Sequence, residues 1–131
     1  MDTELWQQID QLFAEALGLS EAERPAFLDA ACGDDRELFS RADEQFHLML
    51  AECTRNPLMV WLYRQINDVR SHALWDGMKD KILTKARIAE YNRQHRELYE
   101  SLYSRDADAA TQMIAAHLEK ARRDLLGVDS Q

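Results

Sequence analysis

The sequence predicts an all-α fold, an antiparallel bundle of about six helices. Three observations carry this. Apolar residues recur every three or four positions along most of the 131 residues. No segment alternates apolar and polar residues as a half-buried strand does. Four Gly and two Pro leave few breakers between the periodic runs. The length suits one core, so residues 1–131 are read as a single helical domain.

The first helix is expected from about Thr3 to Ala16, with Leu5, Ile9, Leu12, Phe13 and Ala16 on one face and Gly18 as its stop. Ser20 and Glu23 have the spacing of a capping box for a short second helix ending near Cys32 and Gly33, while Pro25 suits a later start equally well. The third begins at Asp34 or Asp35 and runs to about Cys53. Asn56 then reads as an N-cap with Pro57 at the first helical position, where a missing N–H costs nothing. The fourth helix is expected to turn Leu58, Leu62, Ile66 and Val69 inward. A turn is expected around Gly77 in "WDGMKD", followed by a fifth helix over roughly Lys79 to Tyr103. Asp106 caps a sixth that ends at Gly127.

Composition excludes several classes. Hydrophobic residues make up 46% and charged residues 31%, which suits a packed helical protein rather than a disordered one. The net charge of -8 argues against a nucleic-acid surface, since Lys and Arg supply affinity for phosphate backbones. Residues 1–44 hold twelve acids against three bases, and residues 45–131 hold twelve against thirteen, so the charge changes character near residue 44. Cys32 and Cys53 lack metal-site spacing and are too few for a disulfide framework. Both are expected to fill apolar space in a reducing compartment. No stretch approaches the ~20 apolar residues of a membrane span, and no leader pattern opens the chain, so a cytoplasmic location is expected.

The histidines hold the most chemistry. The third helix carries an inward stripe of Phe39, Ala42, Asp43, Phe46, His47, Leu50 and Cys53; the fifth, Ile88, Tyr91, Asn92, His95, Leu98, Tyr99 and Leu102; the sixth, Ala110, Met113, Ile114, His117, Leu118, Ala121 and Leu125. Each places one His among core positions. A lone His there is ordinarily a core residue satisfied by a nearby acceptor, and an Asp–His ion pair explains Asp43 and His47 as well as a metal does. Three imidazoles and a carboxylate converging in one core would leave several ring nitrogens and a charge to satisfy. A divalent cation does this with one bond to each. His72, near the end of the fourth helix, reads as surface or rim.

The wording of the chain resembles the FCD domain, the all-helical effector-binding domain of the FadR branch of GntR-type transcription regulators. "DEQFHLMLAECTRNPLM" is similar to that family's D-x-x-F-H-x-x-L-x-x-A-x-x-N-P-x-L signature. "EYNRQHRELYESLYSRDADAA" resembles its His-bearing segment and following turn, and "MIAAHLEKARRDL" its closing M-x-x-H-L helix. The resemblance covers residues 42–127. It implies that Asp43, His47, His95 and His117 bind a divalent metal, with Zn as first choice and Ni, Mn or Fe as others. It also implies that an organic acid occupies the remaining metal positions, and that the domain pairs as a homodimer. Asn92, Tyr91, Tyr99 and Arg64 are candidate ligand contacts from helical phase.

Residues 5–38 instead resemble a helical segment found near bacterial Ser/Thr protein kinases, which suggests a fusion of two helical pieces, with residues 1–41 set apart from 42–128. The family's Arg that meets a ligand carboxylate then has no identifiable counterpart. The family's winged-helix DNA-binding domain has no counterpart either, so direct DNA binding is not expected. The leading expectation is a metal-dependent, carboxylate-sensing domain of a GntR-type regulator. The alternative is a metal-free structural or interaction module, natural or engineered as a fusion. An enzyme is not expected, since no nucleophile motif or Gly-rich phosphate loop is present.

Overall fold

The computed structural model describes residues 3–24, 27 and 35–127. Among them are six α-helices and no strand: α1 (Thr3–Leu17), α2 (Arg36–Cys53), α3 (Pro57–Arg70), α4 (Ala73–Ile82), α5 (Lys85–Tyr103) and α6 (Ala107–Leu126). The all-α class is as expected. The short second helix read from the sequence, with Cys32, lies largely outside the described residues; Ser20 does donate its backbone N–H to Glu23 Oε2 at 3.1 Å, one half of the anticipated capping box. The chain forms two compact units, Met1–Asp76 and Gly77–Gln131, and their division falls inside α4. The charge break near residue 44 coincides with no division of this kind.

Each unit is built around one helical hairpin, and the two hairpins turn by the same device. In the first, α2 ends at Thr54, Arg55 adopts a left-handed φ of 54°, and Asn56 opens α3 by accepting from the Leu58 N–H at 3.0 Å. In the second, α5 ends at Ser104, Arg105 takes φ 58°, and Asp106 opens α6 by accepting from the Ala109 N–H at 3.0 Å. A hydroxyl residue, an Arg in the αL region and a short polar N-cap thus reverse the chain twice. The αL residue ends the ladder and the cap satisfies the first donors of the next helix. Side-chain pairs across the second hairpin run antiparallel: Tyr91 meets Asp124, His95 meets His117 and Ser101 meets Met113.

The break before α5 corrects the sequence reading. Gly77 lies within a helix, and the interruption comes at Leu83 and Thr84, whose hydroxyl caps α5 through the Arg87 N–H at 3.2 Å. A helical Gly costs only about 1 kcal/mol against Ala, and Gly77 is exposed, so nothing forces a turn there. Thr84 has a real capping bond, and that decides the boundary.

A second correction concerns α3. Leu58, Leu62, Ile66 and Val69, expected to point inward, are exposed at 61%, 41%, 47% and 64%. The half-buried residues are Val60, Tyr63, Asn67 and Arg70, which share the opposite stripe. Partners on α2 explain the choice: its buried positions include Ser40, Asp43, Glu44 and His47, and polar side chains there need polar partners. Cys53, expected to fill apolar space, is a free, exposed thiol. Ala42, Tyr99, Leu102 and Leu118 are also exposed where the stripes placed them inside.

Candidate functional site

The first hairpin positions Asp43 and His47. They lie one turn apart on α2, at a spacing that puts both on the face turned to α3. Both are buried, with His47 Nε2 3.5 Å from Asp43 Oδ1. The other carboxylate oxygen accepts from Arg70 Nη2 at 2.7 Å. Tyr63 stacks parallel to the His47 ring at a centroid distance of 6.1 Å, and Phe46 meets it edge-on at 5.5 Å. Burial pushes the Tyr63 hydroxyl above the ordinary phenol range; the charge on Asp43 adds to the rise and Arg70 opposes it. Tyr63 is therefore a neutral wall against the imidazole.

The second hairpin positions His95 on α5 and His117 on α6. Their Nε2 atoms approach to 3.1 Å, with ring centroids 4.6 Å apart. His117 Nδ1 lies 2.8 Å from Gln94 Oε1, and Tyr91 meets the His117 ring edge-on. The Tyr91 hydroxyl in turn donates to Asp124 Oδ2. Asp124 also accepts from Lys120 Nζ at 2.8 and 2.9 Å, and Arg87 Nε lies 3.5 Å away. Burial pushes the Asp124 carboxyl up, but the bonds from Lys120 and Tyr91, with the charges of Lys120 and Arg87, more than reverse this and leave it below the ordinary carboxylate range. The carboxylate anchors Tyr91, and Tyr91 fixes the ring plane of His117.

Each hairpin thus brings together the pair of expected ligands that it contains. Imidazole and carboxylate donors of this kind could hold a metal ion. Two imidazole Nε2 atoms at 3.1 Å suit either an N–H donating to a lone pair or a cation drawing on both lone pairs. Of the ligand-contact candidates, Tyr91 is buried against His117, Asn92 is half-buried, Tyr99 is exposed and stacks on Tyr103, and Arg64 is exposed on α3. His72 is exposed, as expected for a surface residue. Sequence reasoning missed Arg70, Tyr63, Gln94 and Asp124. Arg70 and Tyr63 share the polar 63, 67, 70 stripe of α3, which apolar periodicity does not register. Asp124 lies seven residues beyond His117, two turns along the same face.

Comparison with known proteins gives this geometry a family. The FCD domain family model matches residues 7–120. The chain belongs to the FCD domain family. The Escherichia coli Uxu operon transcriptional regulator is 32% identical over 101 residues, covering 71% of this chain and 39% of the relative. A Haemophilus influenzae Uxu operon regulator is 29% identical over 82 residues, 62% of this chain and 31% of its own. An Escherichia coli protein provisionally named for regulating the L-lactate dehydrogenase operon is 27% identical over 90 residues, 69% of this chain and 35% of its own. The chain therefore spans about a third of the length of the relatives it matches. No solved structure matches the chain.

The match from residue 7 corrects the resemblance drawn from the sequence, which began at residue 42. The FCD unit takes in most of the acidic N-terminal segment, and the kinase-associated likeness of residues 5–38 finds no support. The relatives that the FCD domain matches are named as operon regulators. Among the described residues, no helix is long and apolar enough to cross a membrane.

Proposed function

We propose that this FCD domain is the sensing part of a GntR-type transcription regulator and that it works through a divalent metal. Asp43, His47, His95 and His117 are its ligands in this reading, with zinc the best fit to three imidazoles and one carboxylate, and Ni, Mn or Fe compatible with the same set. The observation that carries the proposal is the approach of His95 Nε2 and His117 Nε2 to 3.1 Å, with the second nitrogen of His117 already engaged by Gln94. Metal-bound imidazoles characteristically use their other nitrogen in this way.

The cation supplies a Lewis-acidic point to which a carboxylate can bind. A small organic acid completing its shell is the proposed effector. Asn92, half-buried on α5 three residues before His95, is a candidate ligand contact, while Arg70 on α3 offers a guanidinium nearer the chemistry than the exposed Arg64 does. The names of the relatives, regulators of the Uxu operon among them, support a role in transcription. The net charge of -8 argues that this domain is not itself the nucleic-acid surface. A cytoplasmic location and a homodimer complete the reading.

The Asp43–Arg70 ion pair favours one other reading, a metal-free module, because the guanidinium satisfies the carboxylate without a metal. Metal analysis separates the two. Protein purified without a His-tag or chelator should carry about one divalent ion per chain, lost in His95→Ala and His117→Ala. A wild-type protein that is empty and ignores added Zn and Ni would leave the metal-free module.

A further inference from the structure

Gln94 adjoins His95 in sequence but touches His117 in space. Its Oε1 lies 2.8 Å from His117 Nδ1, and its Nε2 donates to Glu90 Oε1 at 3.3 Å. An amide has one accepting end and one donating end, and its orientation is decided by what each end meets. Glu90 makes that decision. Its two oxygens accept from Arg93 Nη2 at 2.7 Å and Nε at 3.1 Å, and the bond from Arg93 holds its carboxyl below the ordinary range, so it is an ionised group that only accepts. Reversing the Gln94 amide would set two acceptors against each other at Glu90.

We infer that Gln94, oriented by Glu90, is a positioning residue that fixes His117 as the Nδ1–H tautomer and leaves its Nε2 as a lone pair for the metal. The assignment rests on the metal-binding reading above. The logic is a relay of hydrogen-bond polarity along one face of α5: Arg93 orders Glu90, Glu90 orders the Gln94 amide, and the amide carbonyl requires a proton on Nδ1. A neutral imidazole has one such proton, so the opposite nitrogen is bare. Tyr91, edge-on to the same ring and tied to Asp124, holds the ring plane while Gln94 sets its protonation. His117 is therefore in its metal-accepting form before the metal arrives, while His95 Nε2, which donates to it at 3.1 Å in the metal-free chain, gives up that proton on binding.

The test uses the full chain with 15N-labelled histidine, stripped of metal, at a pH where His117 is neutral. Long-range 15N–1H correlation spectra read which ring nitrogen is protonated, and competition with a chelating dye reads zinc affinity. Wild type and Gln94→Glu, which keeps an acceptor, should show His117 as Nδ1–H. Gln94→Met, which has no acceptor, and Glu90→Gln, which lets the amide reverse, should show a mixture. Zinc should bind Gln94→Met about ten- to a hundredfold more weakly, the usual loss when a partner of this kind is removed. An Nε2–H tautomer in wild type, or an unchanged tautomer and affinity in Gln94→Met beside a zinc-binding wild type, would overturn the role of Gln94 alone. A wild-type chain that ignores zinc sinks the metal reading itself, and with it the purpose given to Gln94. Glu90→Gln alters a partly exposed carboxylate and keeps the tautomer test open should Gln94→Met fold poorly.

Discussion

Arg70 donates to Asp43 at 2.7 Å across the α2–α3 hairpin, on a carboxylate whose other oxygen faces His47 at 3.5 Å. Asp43 is almost fully buried, while the Arg70 side chain keeps about a fifth of its exposure, so the pair is shielded but not dry. Removing one partner leaves the other desolvated and less well satisfied. Arg70→Met should lower the unfolding free energy by about 1–3 kcal/mol in urea titrations. The double variant Asp43→Asn, Arg70→Met should recover part of the loss, because it removes both charges. Losses from Arg70→Met and Asp43→Asn alone that simply add in the double variant would show that the ion pair contributes little.

Asp124 gives the second hairpin a pH dependence whose sign is fixed. Its folded pKa lies below the unfolded value of about 3.9, so its contribution is complete above that value and is lost as the pH falls through the folded pKa. Stability measured from pH 6 down to pH 2 should fall in the acid limb. Asp124→Asn should flatten that limb and cost about 1–3 kcal/mol at neutral pH, since a buried acceptor of Lys120 and Tyr91 is weakened. A variant with an unchanged acid limb would remove Asp124 from the account.

Metal removal should be visible as lost stability. Zinc present at a hundred times its dissociation constant adds about 2.7 kcal/mol to a protein that binds it only when folded. Thermal unfolding of the wild type should therefore shift upward with zinc and return with a chelator, while His117→Ala should show no zinc-dependent shift. A shift of the same size in His117→Ala would place the metal elsewhere.

The two left-handed arginines predict a gain. An L-residue in the αL region is strained by about 1–2 kcal/mol, while Gly adopts it freely at some cost in unfolded-chain entropy. Arg105→Gly and Arg55→Gly should each raise stability by about 0.5–1 kcal/mol, the net of those two effects. Chemical denaturation of each variant checks this, and a loss in either would mean that the Arg side chain there contributes more than the strain it carries.

How far the sequence could be read follows from what kind of signal each feature left. The caps at Asn56 and Asp106 and the stop at Gly127 were legible because short polar residues and a C-terminal Gly act through local bonds. The pairs Asp43–His47 and His95–His117 were legible as residues on inward stripes. Their partners were not. Arg70 and Gln94 are placed by what they bond to across a hairpin or beside a carboxylate, and apolar periodicity carries no information about that. The Thr84 boundary was missed because Gly77 looked like the stronger punctuation, although an exposed helical Gly costs little. The reach of the family toward residue 7 was hidden by a sharp change in charge, which is a property of the surface and not of the fold.

On α3 the polar stripe of Tyr63, Asn67 and Arg70 faces inward and the aliphatic stripe faces out. The Asn67 Oδ1 atom is buried with no hydrogen-bond partner among the described residues. A map of mutational tolerance along this helix would run opposite to a hydropathy plot. Charged replacements at Leu62 or Ile66 would be accepted by the isolated chain, while conservative changes at Tyr63 or Arg70 would be felt. Anyone redesigning the helix by filling its greasy side and polishing its polar one would be working on the wrong face.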